Sequence, residues 1–246
     1  MPLSYIEVKQ PNAIRDGKTA IQSEQSRTAV RFENRRFRRF NNITQLISFS
    51  DNLPYISGQG QQKQGSFYCS NAFSKTKFNA FKEEREEELI YSIRSLGEEE
   101  IDTVLKDVNR FALKSQPEFK TNQDPSTPCN TFISSLYQKE RLLFLLRYGL
   151  AYVEEHSKDG TIQLQKHVMR YPQFFATKAI EDAIGKGVKK GVIWHTQGSG
   201  KTALSYFNIR YLTNYFSKQE IVPQFYFVVD RWILQTKLRE SLRNVA

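Results

Sequence analysis

The sequence predicts an α/β protein built on a parallel sheet. Three observations carry this. An apolar, strand-like segment from Gly191 to Trp194 runs into a glycine-rich loop; the loop opens an amphipathic helix from Thr202 to Phe216; and a second short apolar segment, Phe225 to Val229, follows and ends at Asp230-Arg231. A strand, loop, helix, strand order of this kind joins parallel strands through a crossover helix. With 246 residues, 39% hydrophobic and 25% charged, the chain is long enough for one large domain or two modest ones, and disorder throughout is not expected.

The elements follow in order. Leu3 to Lys9 is β-prone and closed by Pro11-Asn12, which reads as a buried strand, so the chain is expected to begin within a core strand, with preceding structure missing, supplied by another chain or lost by truncation. Thr19 to Phe37 suits a helix, with Ala20, Ile21, Ala29, Val30 and Phe32 as its apolar positions. Ile43 to Phe49 alternates as a second strand, ended by Asp51-Asn52 and Pro54. Ser57 to Gly65, rich in Gly, Gln and Ser, reads as a loop, and Ser66 to Cys69 as a third strand. Phe78 to Arg94 contains Lys82-Glu83-Glu84-Arg85-Glu86-Glu87-Glu88, read as a solvated helix face without a catalytic role, and Glu98 to Phe111 is a further helix. Lys114 to Asn130, with Pro117, Pro125 and Pro128 and few apolar residues, is the expected linker. Leu136 to Val153 is predicted helical, its leucines at 142, 143, 145, 146 and 150 forming a packing stripe. Phe174 to Ile184 is a helix stopped by Gly185 and Gly187.

Charge narrows the partners. There are 36 Lys+Arg against 26 Asp+Glu, a formal net charge of +10, which favours a polyanion such as nucleic acid over an acidic protein. Arg27, Arg31, Arg35, Arg36, Arg38 and Arg39 crowd one stretch, interleaved with Phe32, Phe37 and Phe40; both a solvated helix face and a phosphate-contacting surface fit this pattern. Cys69 and Cys129 are far apart and form no CxxC pair, so neither a disulfide framework nor a zinc site is expected, and a reducing cytoplasm fits best. The first residues carry no basic start ahead of an apolar run, and no segment approaches the uncharged apolar length of a membrane span.

The loop Trp194-His195-Thr196-Gln197-Gly198-Ser199-Gly200-Lys201-Thr202 carries the chemistry. Gly198 and Gly200 let the backbone turn so that N–H groups face phosphate oxygens, and the helix behind adds its positive end. Lys201 then neutralises charge on the β and γ phosphates, Thr202 offers its hydroxyl to magnesium, and Ser199 completes the cradle; ATP and Mg²⁺ are the expected cofactors. The general pattern wants a glycine where His195 stands. His195 reads as a packing or loop-shaping residue, not a catalytic base.

The string from Gly191 to Thr202 closely resembles the first helicase motif of the R (motor and nuclease) subunit of type I restriction endonucleases, a family that tolerates a non-glycine at the His195 position. Arg170-Tyr171-Pro172-Gln173, with Ala176 and Lys178-Ala179, resembles that family's adenine-recognising segment, which implies that Gln173 binds the base. Phe227-Val228-Val229-Asp230-Arg231 and Leu234-Gln235 are similar to its next motor motif. Ile6-Glu7-Val8-Lys9 resembles the E-x-K half of a PD-(D/E)xK nuclease site, identified by its place ahead of the motor motifs. In such sites Glu7 would hold magnesium and Lys9 would orient the attacking water or stabilise phosphate charge. The family's Gln-xxx-Tyr element falls near Gln22 or Gln25, but Ser26 and Ala29 stand where tyrosine would be.

The resemblance implies the C-terminal part of a PD-(D/E)xK nuclease domain over residues 1–113, a linker over 114–130, and the first half of a RecA-like P-loop motor lobe over 131–246. It further implies ATP-dependent DNA translocation and cleavage in a full enzyme, with DNA and the modification (methyltransferase) and specificity subunits as partners, and a second polypeptide as a source of the remaining motor. The chain alone is expected to be inactive, because the aspartate of the PD half, the acidic metal-binding motor motif and the second motor lobe are not in it. Two other readings stay open: a stand-alone ATP- or nucleic-acid-binding module using the loop and the arginine stretch, and an inactive gene remnant.

Overall fold

The alternating run after Leu3 becomes strand β1 (Ser4–Val8) in a computed structural model that describes residues 3–9, 18–58, 61–71, 78–89, 96–156 and 160–228. Two helices follow, α1 (Ala20–Glu33) and α2 (Arg35–Ile43), where the apolar pattern predicts one. The break falls at Asn34, whose backbone is extended and whose side-chain oxygen accepts from the Arg36 N–H at 2.9 Å, so that it ends one helix and caps the next. Thr19 caps α1 in a reciprocal box with Gln22. Strand β2 (Leu46–Ser50) lies parallel to β1, with Glu7 opposite Phe49.

Two short antiparallel strands, β3 (Ile56–Gly58) and β4 (Gln61–Gln64), occupy the segment expected to be a loop; they are polar, so apolar alternation does not mark them. The main sheet continues antiparallel through β5 (Ser66–Cys69) to β6 (Asn79–Phe81), giving the order β1-β2-β5-β6. The acid-rich stretch is therefore not the helix its charges suggest: burial of Phe78, Ala80 and Phe81 makes a strand, and a single 3-10 turn follows at Glu86–Glu88. Glutamates four apart, such as Glu83 with Glu87 and Glu84 with Glu88, repel on a helix by a few tenths of a kcal/mol per pair, which weakens the helical alternative. Glu83 is buried and accepts from Ser135 and, at 2.7 Å, from Arg141. Residues 90–94 of that expected helix lie outside the described residues.

Helix α3 (Glu98–Asp107) forms as expected. The stretch 114–130 carries α4 (Pro117–Asn122) and the start of α5 (Pro128–Leu136), and each of these helices has its proline in the first turn. Proline is tolerated there because that N–H has no helical partner to lose. The long helix expected over Leu136 to Val153 is divided as well: α5 ends at Leu136, α6 spans Lys139–Tyr148, and Leu150 opens strand β7 (Leu150–His156). Gly149 makes that junction, since a Cβ there would lie 3.0 Å from the Leu145 carbonyl oxygen.

The chain divides into two compact units, residues 1–69 with 77–143 and residues 70–76 with 144–246. In the first, Ile47, Phe49, Phe67, Cys69 and Ala80 meet Ile21 of α1 on one sheet face. On the other face Phe81 meets Phe132 of α5 at 5.3 Å between ring centroids, and the Tyr137 hydroxyl donates to Ser48 Oγ at 2.8 Å. A sheet covered on both faces explains why every residue of β2 is buried.

In the second unit β7 pairs antiparallel with β8 (Ile162–Val168), and helices α7 (Tyr171–Gly185) and α8 (Lys201–Ser217) follow. Phe144, Tyr148, Phe174 and Tyr211 form a ring cluster, with Phe144 and Tyr211 centroids 4.9 Å apart. The two strands expected around the glycine-rich loop do not form among the described residues. Residues 191–194 and 225–228 are unpaired, with Val192, Trp194 and Val228 at 90%, 89% and 97% exposure. A strand exists only against a neighbour that takes up its backbone hydrogen bonds. The predicted parallel sheet is thus absent from this unit's described residues, and parallel pairing occurs instead between β1 and β2.

Burial pushes the Lys166 amine on β8 down to about 8. Between that value and the ordinary lysine range the unfolded chain holds a proton that the folded chain has lost, so stability rises with pH. The stability of the native protein minus that of Lys166→Met is expected to climb between about pH 8 and 10, at up to ~1.4 kcal/mol per pH unit, in urea titrations at stepped pH. A flat difference would contradict the burial of the amine.

Candidate functional site

Helix α8 begins at Lys201, directly after two glycines with left-handed backbone, Gly198 at φ 75° and Gly200 at φ 87°. Such angles cost little only for glycine. They bend the chain back over the helix start, where the first N–H groups lack helical partners. Lys201 Nζ donates to the carbonyl oxygens of His195 at 2.9 Å and Thr196 at 3.2 Å, closing the loop on itself. His195 thus enters the loop through its backbone, in keeping with a shaping role. Between the glycines Ser199 is buried, and its Oγ has no hydrogen-bond partner among the described residues. A buried orphan hydroxyl costs about 1–3 kcal/mol, which an incoming oxyanion acceptor would relieve. Thr202 is the second residue of α8 and half-buried.

Gln173 reaches this loop from the first turn of α7 and is 3% exposed. Its Oε1 accepts from the Arg170 N–H at 2.8 Å and its Nε2 donates to the Gly200 carbonyl at 2.9 Å. Arg170 adds a long bond of 3.4 Å to the Gly198 carbonyl. The Oε1 end thus caps α7 itself, and the Nε2 end ties α7 to the loop. Asp230, Arg231, Leu234 and Gln235 lie outside the described residues.

In the first unit Glu7 and Lys9 form an ion pair at the end of β1. Arg27 and Arg31 reach across from α1, Arg27 Nη1 to Glu7 Oε1 at 2.6 Å and Arg31 Nη2 to Glu7 Oε2 at 3.0 Å. Glu24, fully buried on the same helix, accepts from Arg31 at 3.1 Å and from Thr28 at 3.3 Å. Partial burial pushes the Glu7 carboxyl up, but bonds from Lys9 and Arg31 outweigh it and hold the group below its ordinary value. Burial pushes Glu24 up, the neighbouring Glu7 adds to this, and the Arg31, Arg27 and Lys9 charges do not cancel it. Both Glu7 oxygens are bonded to cations, and among the described residues no three His, Cys, Asp or Glu side chains gather as a metal site. Gln22 serves the α1 cap and Gln25 is exposed. The helical residue that faces Glu7 is Glu24, which the motif reading passes over. Its signal is the spacing of Glu24, Arg27, Thr28 and Arg31, which puts all four on one helix face.

A phosphate cradle at a helix start is what a nucleotide-hydrolysing motor uses, and residues 172–246 match the profile of the SWI2/SNF2 ATPase family. The match covers less than a third of the chain. No solved structure matches. Two relatives from Methanocaldococcus jannaschii name the wider setting. The chain is 42% identical over 106 residues to the putative type I restriction enzyme MjaVIIP endonuclease subunit, covering 40% of this chain and 9% of that one. It is 31% identical over 118 residues to the putative type I restriction enzyme MjaVIIIP endonuclease subunit, covering 45% of this chain and 11% of that one. The chain therefore spans about a tenth of the relatives it matches, and its resemblance to type I restriction R subunits is borne out by both. Among the described residues no helix is long and apolar enough to cross a membrane.

Proposed function

We propose that the chain is part of the R subunit of an ATP-dependent type I restriction endonuclease, with the first compact unit contributing nuclease structure and the second contributing motor structure. The observation that carries the nucleotide reading is the buried, unpartnered Ser199 hydroxyl held between two left-handed glycines at the start of α8. Gly198, Ser199 and Gly200 would cradle phosphates with their N–H groups. Lys201 would exchange the His195 and Thr196 carbonyls for phosphate oxygens, and the Thr202 hydroxyl would hold Mg²⁺. Bound MgATP would supply the hydrolysis that drives movement along DNA. Gln173, already hydrogen-bonded to Gly200, would couple α7 to the occupied loop.

Glu7 and Lys9 are the residues we assign to the nuclease half, with DNA as substrate. A magnesium ion at Glu7 would have to displace Arg27 and Arg31 and find further carboxylates. The exposed apolar residues Val192, Trp194, Val222, Tyr226 and Val228 support completion of the motor sheet by other strands, supplied by a second polypeptide or by more of the subunit. Modification and specificity subunits would select the DNA.

Calorimetric titration with MgATP tests the nucleotide reading. Native protein should bind; Lys201→Ala should weaken binding at least tenfold through loss of a charged phosphate partner, and Gln173→Ala should weaken it less, by loosening the loop. Indifference to both substitutions would contradict the site. Plasmid incubated with the purified chain, MgATP and no partner should stay uncut; robust cutting would contradict the assignment as part of a larger enzyme.

A further inference from the structure

The arginine stretch divides in the structure into two groups with different surroundings. Arg27 and Arg31, on α1, are consumed by Glu7 and Glu24. Arg35, Arg36 and Arg39, on α2, are exposed, and among the described residues their side chains make no ion pair or hydrogen bond. They lie at i, i+1 and i+4, within about a third of the helix circumference, so their charges form one stripe. No acidic residue shares the first turn of α2, where two of these arginines oppose the helix dipole. The stripe therefore does not serve the stability of its own helix. Its place does suggest a purpose. Phe40 seats α2 on Tyr5 of β1, ring centroids 5.7 Å apart, and the Arg31 guanidinium lies 5.9 Å from the same ring. Glu7 follows Tyr5 on the same side of that strand. The unpaired arginines and the Glu7–Lys9 cluster are thus organised around one short strand.

We infer that the exposed arginine stripe of α2, Arg35, Arg36 and Arg39, is a docking surface for the phosphate backbone of duplex DNA that holds the duplex beside the Glu7–Lys9 end of β1. The inference rests on the proposal that DNA is the substrate. Guanidinium groups at helical spacing suit phosphate oxygens, and such pairings position a duplex without reading its sequence. An anionic membrane would also attract the charges, and Phe37, Phe40 and Ile43 keep 46%, 40% and 37% exposure; DNA is preferred because Phe40 also packs on Tyr5 of β1, beside the residues assigned to DNA cleavage.

The test is fluorescence anisotropy of a short labelled duplex of arbitrary sequence, without nucleotide, from about 50 to 200 mM salt. Native protein should bind with a steep salt dependence. Arg35→Gln/Arg36→Gln/Arg39→Gln should bind at least tenfold more weakly at the low-salt end, with the log–log slope reduced by about 0.9 for each phosphate no longer neutralised, hence by up to roughly three. The triple lysine variant, which keeps the charge, should retain most of the slope, and the single variants Arg36→Gln and Arg39→Gln should each lower it by about 0.9. Duplex binding that ignores all these substitutions would overturn the surface while leaving DNA as substrate. Failure of the native protein to bind any duplex would remove the DNA reading and this surface with it. Capture by phosphatidylserine vesicles with no duplex binding would overturn it in favour of a membrane.

Discussion

Gly200→Ala is expected to abolish measurable ATP binding while leaving most of the protein folded. Gly200 sits at φ 87°, a conformation that costs an L-residue roughly 1–2 kcal/mol. The added Cβ would come 2.4 Å from Nε2 of Gln173, the atom that donates to the Gly200 carbonyl. Backbone and bridge cannot both stay, so either the loop leaves its left-handed turn or Gln173 withdraws and leaves a buried amide short of a partner, at about 1–3 kcal/mol. Leaving the turn misdirects the N–H groups of the cradle, and withdrawal of Gln173 removes the bond that holds the strained turn in place. With the loop out of its left-handed turn and Lys201 no longer aligned with it, binding should weaken by roughly 10²-fold or more in a calorimetric titration. Gly198→Ala tests the turn alone, since a Cβ there meets open space, and it should bind more strongly than Gly200→Ala. Equal binding by native protein and Gly200→Ala would show that the loop geometry is not what holds nucleotide.

Phe49→Ala should remove about 3–5 kcal/mol from the first unit. Phe49 is fully buried, stacks on Phe67 with ring centroids 6.1 Å apart, and lies at the centre of the core shared with Ile21 of α1. It is also the strand partner of Glu7, so the cavity opens beneath the Glu7–Arg27–Arg31 cluster. Urea unfolding followed by circular dichroism should show the loss as a lower midpoint, set against Val30→Ala at an exposed helix position, where little change is expected. A midpoint as high as that of Val30→Ala would mean that β2 is not the centre of a packed layer.

How much of the fold is legible in the sequence depends on how local its cause is. Strands β1, β2 and β5 and helices α3, α7 and α8 each carry their own apolar periodicity and are visible in place. The division of the first helix hangs on Asn34, which favours caps over helix interiors but is a single residue inside an otherwise continuous helical pattern. The β7–β8 pair is rich in Glu, Gln and Lys, and Leu150 continues a leucine stripe into what is a strand; only the pairing and Gly149 separate the two states. Pro117 and Pro128 suggest a linker but open helices. The opposite case is residues 191–194 and 225–228, whose strand character is plain in composition yet has no described neighbour to pair with.

The candidate sites divide in the same way. The glycine-rich loop is legible because its residues are contiguous and each has a stated task. The tie between Gln173 and Gly200 spans 27 positions and shows only in the fold, as does the meeting of Glu24 with Glu7. The restriction-subunit resemblance, drawn from short motifs, agrees with relatives that share 42% and 31% identity over the matched segments.

The most direct test of the central claim, that the loop around Ser199 and Lys201 binds the phosphates of a nucleotide, is to rank ATP, ADP, AMP and adenosine by calorimetric affinity for the native protein in the presence of magnesium. Affinity falling stepwise with each phosphate removed, to no detectable binding of adenosine, is the predicted result, because in the proposed site the orphan hydroxyl, the glycine N–H groups and Lys201 would all address phosphate oxygens. Adenosine binding as tightly as ATP would contradict the account.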